Sequence, residues 1–302
     1  MNEQESHFVA FLRLIQPGML ALTALTYGLG ASVAHYLGHR FPATLFMQGL
    51  LILLNIQVVG RLVLALNEPA SDPSSPRPSI FPPVSSLVGE ERISRERIQV
   101  IAMGFLALGA LQAISLLISG IPAAAWIPLL LITFGAYFYS AEPLSLRTTG
   151  LGELTLGLLA GAIPMYAFLL LSGELHRFII MTSSPLAALA FAAQVVLALP
   201  CFAYDQKNNR QNLLTRLGWE TAMWFHDLAI LLAMTSIVIA TWNGLPDRVV
   251  LSTLLAAPLA LLQMYQMRRI QGGAPPRYKL FGYTAISLYT LTAYLMLLGF
   301  IL

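Results

Sequence analysis

Apolar residues run through this chain in stretches of about twenty, broken by short polar segments, and no ten-residue alternating pattern of the barrel kind appears. Nine such runs stand out, over 18–37, 43–66, 98–119, 124–140, 154–172, 185–204, 222–241, 249–266 and 280–302. A bilayer core takes roughly 20 apolar residues per helix, and in lipid the backbone must satisfy its own hydrogen bonds, so each run predicts a membrane-spanning helix. The expected fold is an all-α integral membrane bundle of nine transmembrane helices, one polytopic domain over 1–302. Pro122, Pro128, Pro164, Pro185 and Pro200 punctuate several of the runs.

Two of the polar segments are much longer than the others. Residues 67–97 hold the Pro/Ser-rich stretch PASDPSSPRPSIFPP and then GEERISRER, and residues 205–221 hold DQKNNRQNLLTRLGWET. With the N-terminus placed in the cytoplasm, both fall on the cytoplasmic side. All but Arg40, Arg177 and Arg248 of the 17 basic residues then lie inside as well. That asymmetry is the positive-inside pattern, and it agrees with both the span count and the orientation.

Composition supports the same class. Hydrophobic residues make up 57% and charged residues 10% of the chain, with a mean hydropathy of +0.72. That leaves too little polar material to coat a water-soluble globule, which usually carries about 25% charged residues. The net charge of +3 sits in loops between apolar runs, so it reports membrane topology and not a nucleic-acid surface. Cys201 is the single cysteine, so an intramolecular disulfide is excluded. The opening MNEQESHFVAFLR carries Glu3 and Glu5 and no basic stretch, so the first run is expected to stay as a membrane helix. No P-loop, GxGxxG or HExxH motif occurs.

Four segments carry a resemblance. Tyr139–Arg147 reads YSAEPLSLR and is followed by GLGEL at 150–154. Residues 213–218 read LLTRLG; Asn67-Glu68-Pro69 is followed by Arg77-Pro78; and 92–96 read RISRE. Together they resemble the UbiA-type superfamily of intramembrane prenyltransferases, above all its quinone-precursor and chlorophyll-type members. The resemblance implies a nine-helix bundle with a central cavity toward the cytoplasmic side. It also implies transfer of a polyprenyl group from a diphosphate to an aromatic, quinone-precursor-like acceptor. Mg²⁺ held by aspartates of the two long loops would grip the diphosphate, an arrangement that suits a hard cation with oxygen ligands.

The aspartate motifs themselves depart from the family pattern. For NDxxDxxxD, one alignment sets Asn67 and Glu68 on the ND pair, with Asp72 one residue late. The other, which matches more residues, leaves Gln57, Gly60 and Leu64 at the aspartate positions and treats residues 70–76 as an insertion. In the second motif Asp205 survives as either the first or the second aspartate, with Cys201 on the first in the latter case. The metal-ligand candidates are therefore Asp205, Glu68, Asp72 and Asn67, an incomplete set.

Arg61, Arg77, Arg147, Lys207 and Arg210 are the diphosphate candidates, and Asp205 and Tyr139 the catalytic ones. Each has an ordinary alternative. Arg61 either grips a phosphate or pairs with Glu68, four spaced positions on one helical face bringing them together. Positive-inside bias accounts equally well for Lys207 and Arg210, and Tyr139 has the usual profile of an interface aromatic. His226-Asp227 is the one adjacent His/Asp pair and lies near the start of a span. Gly157 and Gly161 have the spacing of a helix-packing stripe. The competing functional class is a non-catalytic descendant that binds a lipid, quinone or pigment, or serves a membrane complex.

Overall fold

The computed structural model describes residues 7–68, 80, 87–88, 93–207 and 210–302. Among them every regular element is helical. The order is α1 (His7–Ile15), α2 (Pro17–Tyr36), α3 (Ala43–Asn67), α4 (Arg95–Ile118), α5 (Ala123–Phe138), α6 (Gly152–Ser172), α7 (Arg177–Ala198), α8 (Phe202–Lys207), α9 (Leu213–Leu217), α10 (Trp219–Trp242), α11 (Asp247–Leu254), α12 (Ala257–Gln271) and α13 (Tyr278–Ile301).

Among the described residues seven helices are long and apolar enough to cross a membrane. An eighth is added when α11 and α12, bent by 40° at a short break, are taken as one span. Pro258 opens α12 and supplies the break, since its ring removes an N–H from the ladder. The run predicted at 124–140 is α5, an apolar helix of 16 residues that falls below that length. The chain is therefore a multi-pass, all-helical membrane protein.

Helices α2, α6, α7, α10 and α13 form the close-packed centre. Small residues let their backbones approach, which is how helices associate where lipid offers no hydrophobic contrast. A Cβ on Gly157 would come within 2.9 Å of the Phe191 Cβ, and one on Gly161 within 2.9 Å of the Ala187 Cβ, so this stripe packs α6 on α7. Gly30 of α2 lies against the Pro164 carbonyl of α6 in the same way.

Helix α4 is held differently. It buries only Ile98, Ala102 and Leu116. Polar bonds at membrane depth tie it to α3: Asn55 Nδ2 donates to the Gln112 Oε1 (2.9 Å) and the Phe105 carbonyl (3.1 Å), and Gln48 Nε2 donates to Ser115 Oγ (3.1 Å).

The connection between α3 and α4 touches two sides of the bundle. The Ile80 side chain seats on Gly282 of α13, whereas Leu87 is buried with Ala10, Leu14, Val58 and Leu62 of α1 and α3. Of the predicted site residues, Asp72 and Arg77 lie outside the described residues.

Candidate functional site

Three of the four motif segments meet at Glu68. This residue caps the C-terminus of α3 and is buried. Its carboxylate accepts from Arg147 Nη2 at 2.9 Å, across 79 residues of sequence. Its own carbonyl accepts from Arg95 Nη2 at 3.0 Å. Arg95 is the first residue of α4, whose start is fixed by Ser94, which accepts the Arg97 N–H as N-cap. The NEP, RISRE and YSAEPLSLR segments are thus joined at one residue, through its carbonyl and its carboxylate.

Arg147 reaches Glu68 because the 139–151 loop folds back on itself. Its main-chain N–H donates to the Tyr139 carbonyl at 2.8 Å, and Ser145 takes a left-handed backbone (φ 40°) before the short turn Leu146–Thr148. Burial works most strongly against the Arg147 charge, but the Glu68 carboxylate, together with Tyr139 and Asp205, outweighs it, and the guanidinium is held above its ordinary pKa. The ring of Tyr139 lies beside this turn: a Cβ on Gly152 would come within 3.4 Å of its Cε2.

The fourth segment is stitched to the same loop. Glu153, buried in the first turn of α6, accepts the Leu213 N–H at 3.3 Å. Arg216 donates through Nη1 to the Thr149 carbonyl, and its side chain crosses Gly150. Gly150 has φ 79°, a left-handed conformation with a Cβ-free face on which the Arg216 methylenes rest. Helix α9 starts in a capping box, Asn212 and Thr215 each accepting the other's backbone N–H. Asn212 Nδ2 also donates to Asp205 Oδ2 at 2.8 Å, which links α9 to α8.

The predicted residues sort as follows. Arg147, Glu68 and Asp205 come together: Arg147 has an ion pair with Glu68 and lies within electrostatic reach of Asp205. Arg210 donates its main-chain N–H to the Asp205 carbonyl (2.8 Å) and stacks its guanidinium 5.3 Å from the centre of the Tyr204 ring. Lys207 is exposed in the last turn of α8.

Arg61 is within electrostatic reach of Tyr139, Glu68 and Arg147, but the pairing with Glu68 falls to Arg147. Arg61 instead donates Nε to the Leu14 carbonyl at 3.2 Å. The physical reason is the break after α1, where the left-handed backbone of Gln16 (φ 53°) ends the helix and leaves the Leu14 carbonyl to be satisfied from outside. Asn67 turns its amide back to the Val63 carbonyl (2.9 Å) and stays exposed.

The three positions that replace aspartates under the favoured alignment are packing positions. Gln57 accepts from Thr23 at 2.6 Å, Gly60 abuts Ala136, and Leu64 is buried.

Glu153, Arg95 and Arg216 carry the assembly and received no role from the sequence. The available signal was Glu153, an acid at the head of an otherwise apolar span. Among the described residues no three His, Cys, Asp or Glu side chains converge to hold a metal ion. Glu68 is taken by Arg147 and Asp205 by Asn212, so the described carboxylates do not by themselves fit a Mg²⁺ cage, which needs near-octahedral oxygen ligation.

A second polar cluster lies two turns into α10. His226 Nδ1 and Asp227 Oδ1 are 2.9 Å apart, and Arg268 of α12 donates Nε to Asp227 Oδ2 at 2.8 Å. It ties α10 to α12 and is separate from the motif segments.

Comparison with known proteins gives one consistent result. The model of the UbiA prenyltransferase family matches residues 85–300. No curated protein sequence matches the chain. Among solved structures, a digeranylgeranylglyceryl phosphate synthase is similar with a TM-score of 0.66 at 13% identity, over 98% of this chain and 99% of that one. A UbiA homologue from Archaeoglobus fulgidus bound to GPP and Mg²⁺ has a TM-score of 0.60 at 16% identity, over 95% and 99% of the two chains. The same homologue bound to DMAPP and Mg²⁺ has a TM-score of 0.63 at 16% identity, over 95% and 98%. At such identities the likeness shows the fold.

Proposed function

The chain belongs to the UbiA prenyltransferase family, and from that premise we propose that it transfers a polyprenyl group from a diphosphate to an aromatic, quinone-precursor-like acceptor. The observation that carries the reading is the convergence of all four motif segments at one end of the bundle, with Arg147 held among them by Glu68.

The chemistry follows from charge. The bond between the allylic carbon and the diphosphate oxygen breaks, and its electron pair stays on the diphosphate. The allylic cation then forms a carbon–carbon bond with the acceptor ring, and the ring proton passes to the released diphosphate. Arg147 and Arg210 are assigned to the diphosphate, with Arg61, Lys207 and Arg77 as further basic groups around it. Guanidinium N–H groups match phosphate oxygens in pairs and stabilise the charge that develops on the leaving group. Tyr139, beside Arg147, is assigned to the allylic carbon, where an aromatic face favours a cation. The apolar bundle keeps water from that cation.

Mg²⁺ accompanies GPP and DMAPP in the similar structures. Asp205 is the carboxylate that would hold a Mg²⁺ in this chain, with Asp72 and Asn67 as further candidates, whereas Glu68 is committed to Arg147. We place this end on the cytoplasmic side of a bacterial-type cytoplasmic membrane, from the positive-inside count.

One observation favours the non-catalytic alternative: Glu68 and Asp205 are each already engaged by a neighbour. The test is a transfer assay with purified protein in lipid nanodiscs, labelled geranyl diphosphate, Mg²⁺ and a panel of phenolic acceptors. Prenylated product that disappears in Arg147→Gln supports the transferase. Diphosphate binding without product across the panel supports the binding protein instead.

A further inference from the structure

We propose that Glu68 is a positioning residue that both aims Arg147 and tempers its grip on diphosphate, an inference that rests on the diphosphate-binding reading above. Glu68 is fixed from two sides, its carboxylate by Arg147 and its carbonyl by Arg95. The Arg147 backbone is fixed too, through its N–H to the Tyr139 carbonyl. The partners differ in exposure: the Glu68 side chain is 7% exposed and that of Arg147 is 37% exposed. The guanidinium is therefore partly accessible while the carboxylate that holds it is buried.

A guanidinium has five N–H donors. Among the described residues Glu68 takes one, through Nη2. The pair thus orients the fork without saturating it, as an outer carboxylate orients an inner ligand. The same carboxylate charge opposes a second anion on Arg147. Because like charges in a partly dry site repel strongly, this repulsion exceeds what one neutral hydrogen bond contributes to ordering the side chain. Removing the charge while keeping the hydrogen bond should therefore tighten diphosphate binding. A transferase gains from a moderated grip, since diphosphate is also the product that has to leave, and binding substrate and product too well adds nothing to turnover.

The test is a pyrophosphate titration of the full-length purified protein in detergent, for wild type, Glu68→Gln, Arg147→Gln and the double variant, with melting curves in parallel. The expected result is binding about tenfold tighter in Glu68→Gln and no effect of Glu68→Gln once Arg147 is Gln, since the residue acts through the arginine. Glu68→Asp keeps the charge but draws the guanidinium back, and is expected to bind about threefold more weakly with its melting temperature little changed. It serves as well if the Gln variant does not fold. Unchanged or weaker binding in Glu68→Gln, the same gain without Arg147, or tighter binding in Glu68→Asp would each overturn the proposal. If folded wild type and Glu68→Gln bind neither pyrophosphate nor geranyl diphosphate, it is the diphosphate reading itself that fails, and the role of Glu68 goes with it.

Discussion

Two buried carboxylates of this protein are each paired with an arginine from a distant part of the chain, and they differ in how completely they are satisfied. Asp227 has both oxygens taken, Oδ1 by His226 and Oδ2 by Arg268. Glu68 has its contact with Arg147, whose side chain remains partly open and within electrostatic reach of Arg61 and Asp205. A saturated carboxylate inside a membrane bundle closes its own hydrogen-bonding account and works as a tie between helices. The Glu68–Arg147 pair, where the motif segments meet, leaves Arg147 donors unused among the described residues, and these are the ones we assign to a diphosphate. The buried ion pair is common to both, so pairing alone says little about function; the remaining donors decide it.

This difference can be broken by substitution. The largest effect is expected for Arg147→Gln. It should weaken geranyl diphosphate binding by about 100-fold in a titration of purified protein, the usual scale for losing one partner of a desolvated charge pair. Asp227→Asn should act on stability instead. Arg268 is half exposed and can rehydrate, so the loss is about 2 kcal/mol, below the range for a fully buried pair, read as a lower melting temperature with diphosphate affinity retained.

Gly150→Ala sharpens the picture of the stitched loops. The left-handed φ and the Arg216 side chain across it should together cost about 1–2 kcal/mol. Loosening of the 139–151 loop should appear as faster hydrogen exchange there. The smallest effect is expected at Lys207→Gln, where an exposed charge should change diphosphate affinity less than about threefold, a loss that fades as salt is raised.

The fold was largely legible because lipid makes hydrophobic length a direct reporter of spans. Each predicted run falls on helical segments, but among the described residues seven spans, or eight with the bent pair, are long enough to cross, not nine. The run 185–204 continues past α7 through a short turn into α8, and 249–266 breaks before Pro258, which was not foreseen. The Gly157/Gly161 spacing likewise announced the α6–α7 contact. The site was legible as a set of residues but not as a set of pairs. Helical spacing put Arg61 and Glu68 on one face, yet Glu68 pairs with Arg147, and Arg61 satisfies the Leu14 carbonyl left open by the break at Gln16. A contact spanning 79 residues leaves no local periodicity to read. Glu153 was in plain view within GLGEL, but its use in holding the Leu213 N–H depends on how the second long loop folds back.

The most direct test of this account is geranyl diphosphate affinity and melting temperature measured side by side for wild type, Arg147→Gln and Asp227→Asn. The account predicts a crossover: Arg147→Gln loses binding while staying folded, and Asp227→Asn loses stability while its folded fraction binds like wild type. Parallel loss of binding in both variants, or wild-type affinity in Arg147→Gln, would contradict it.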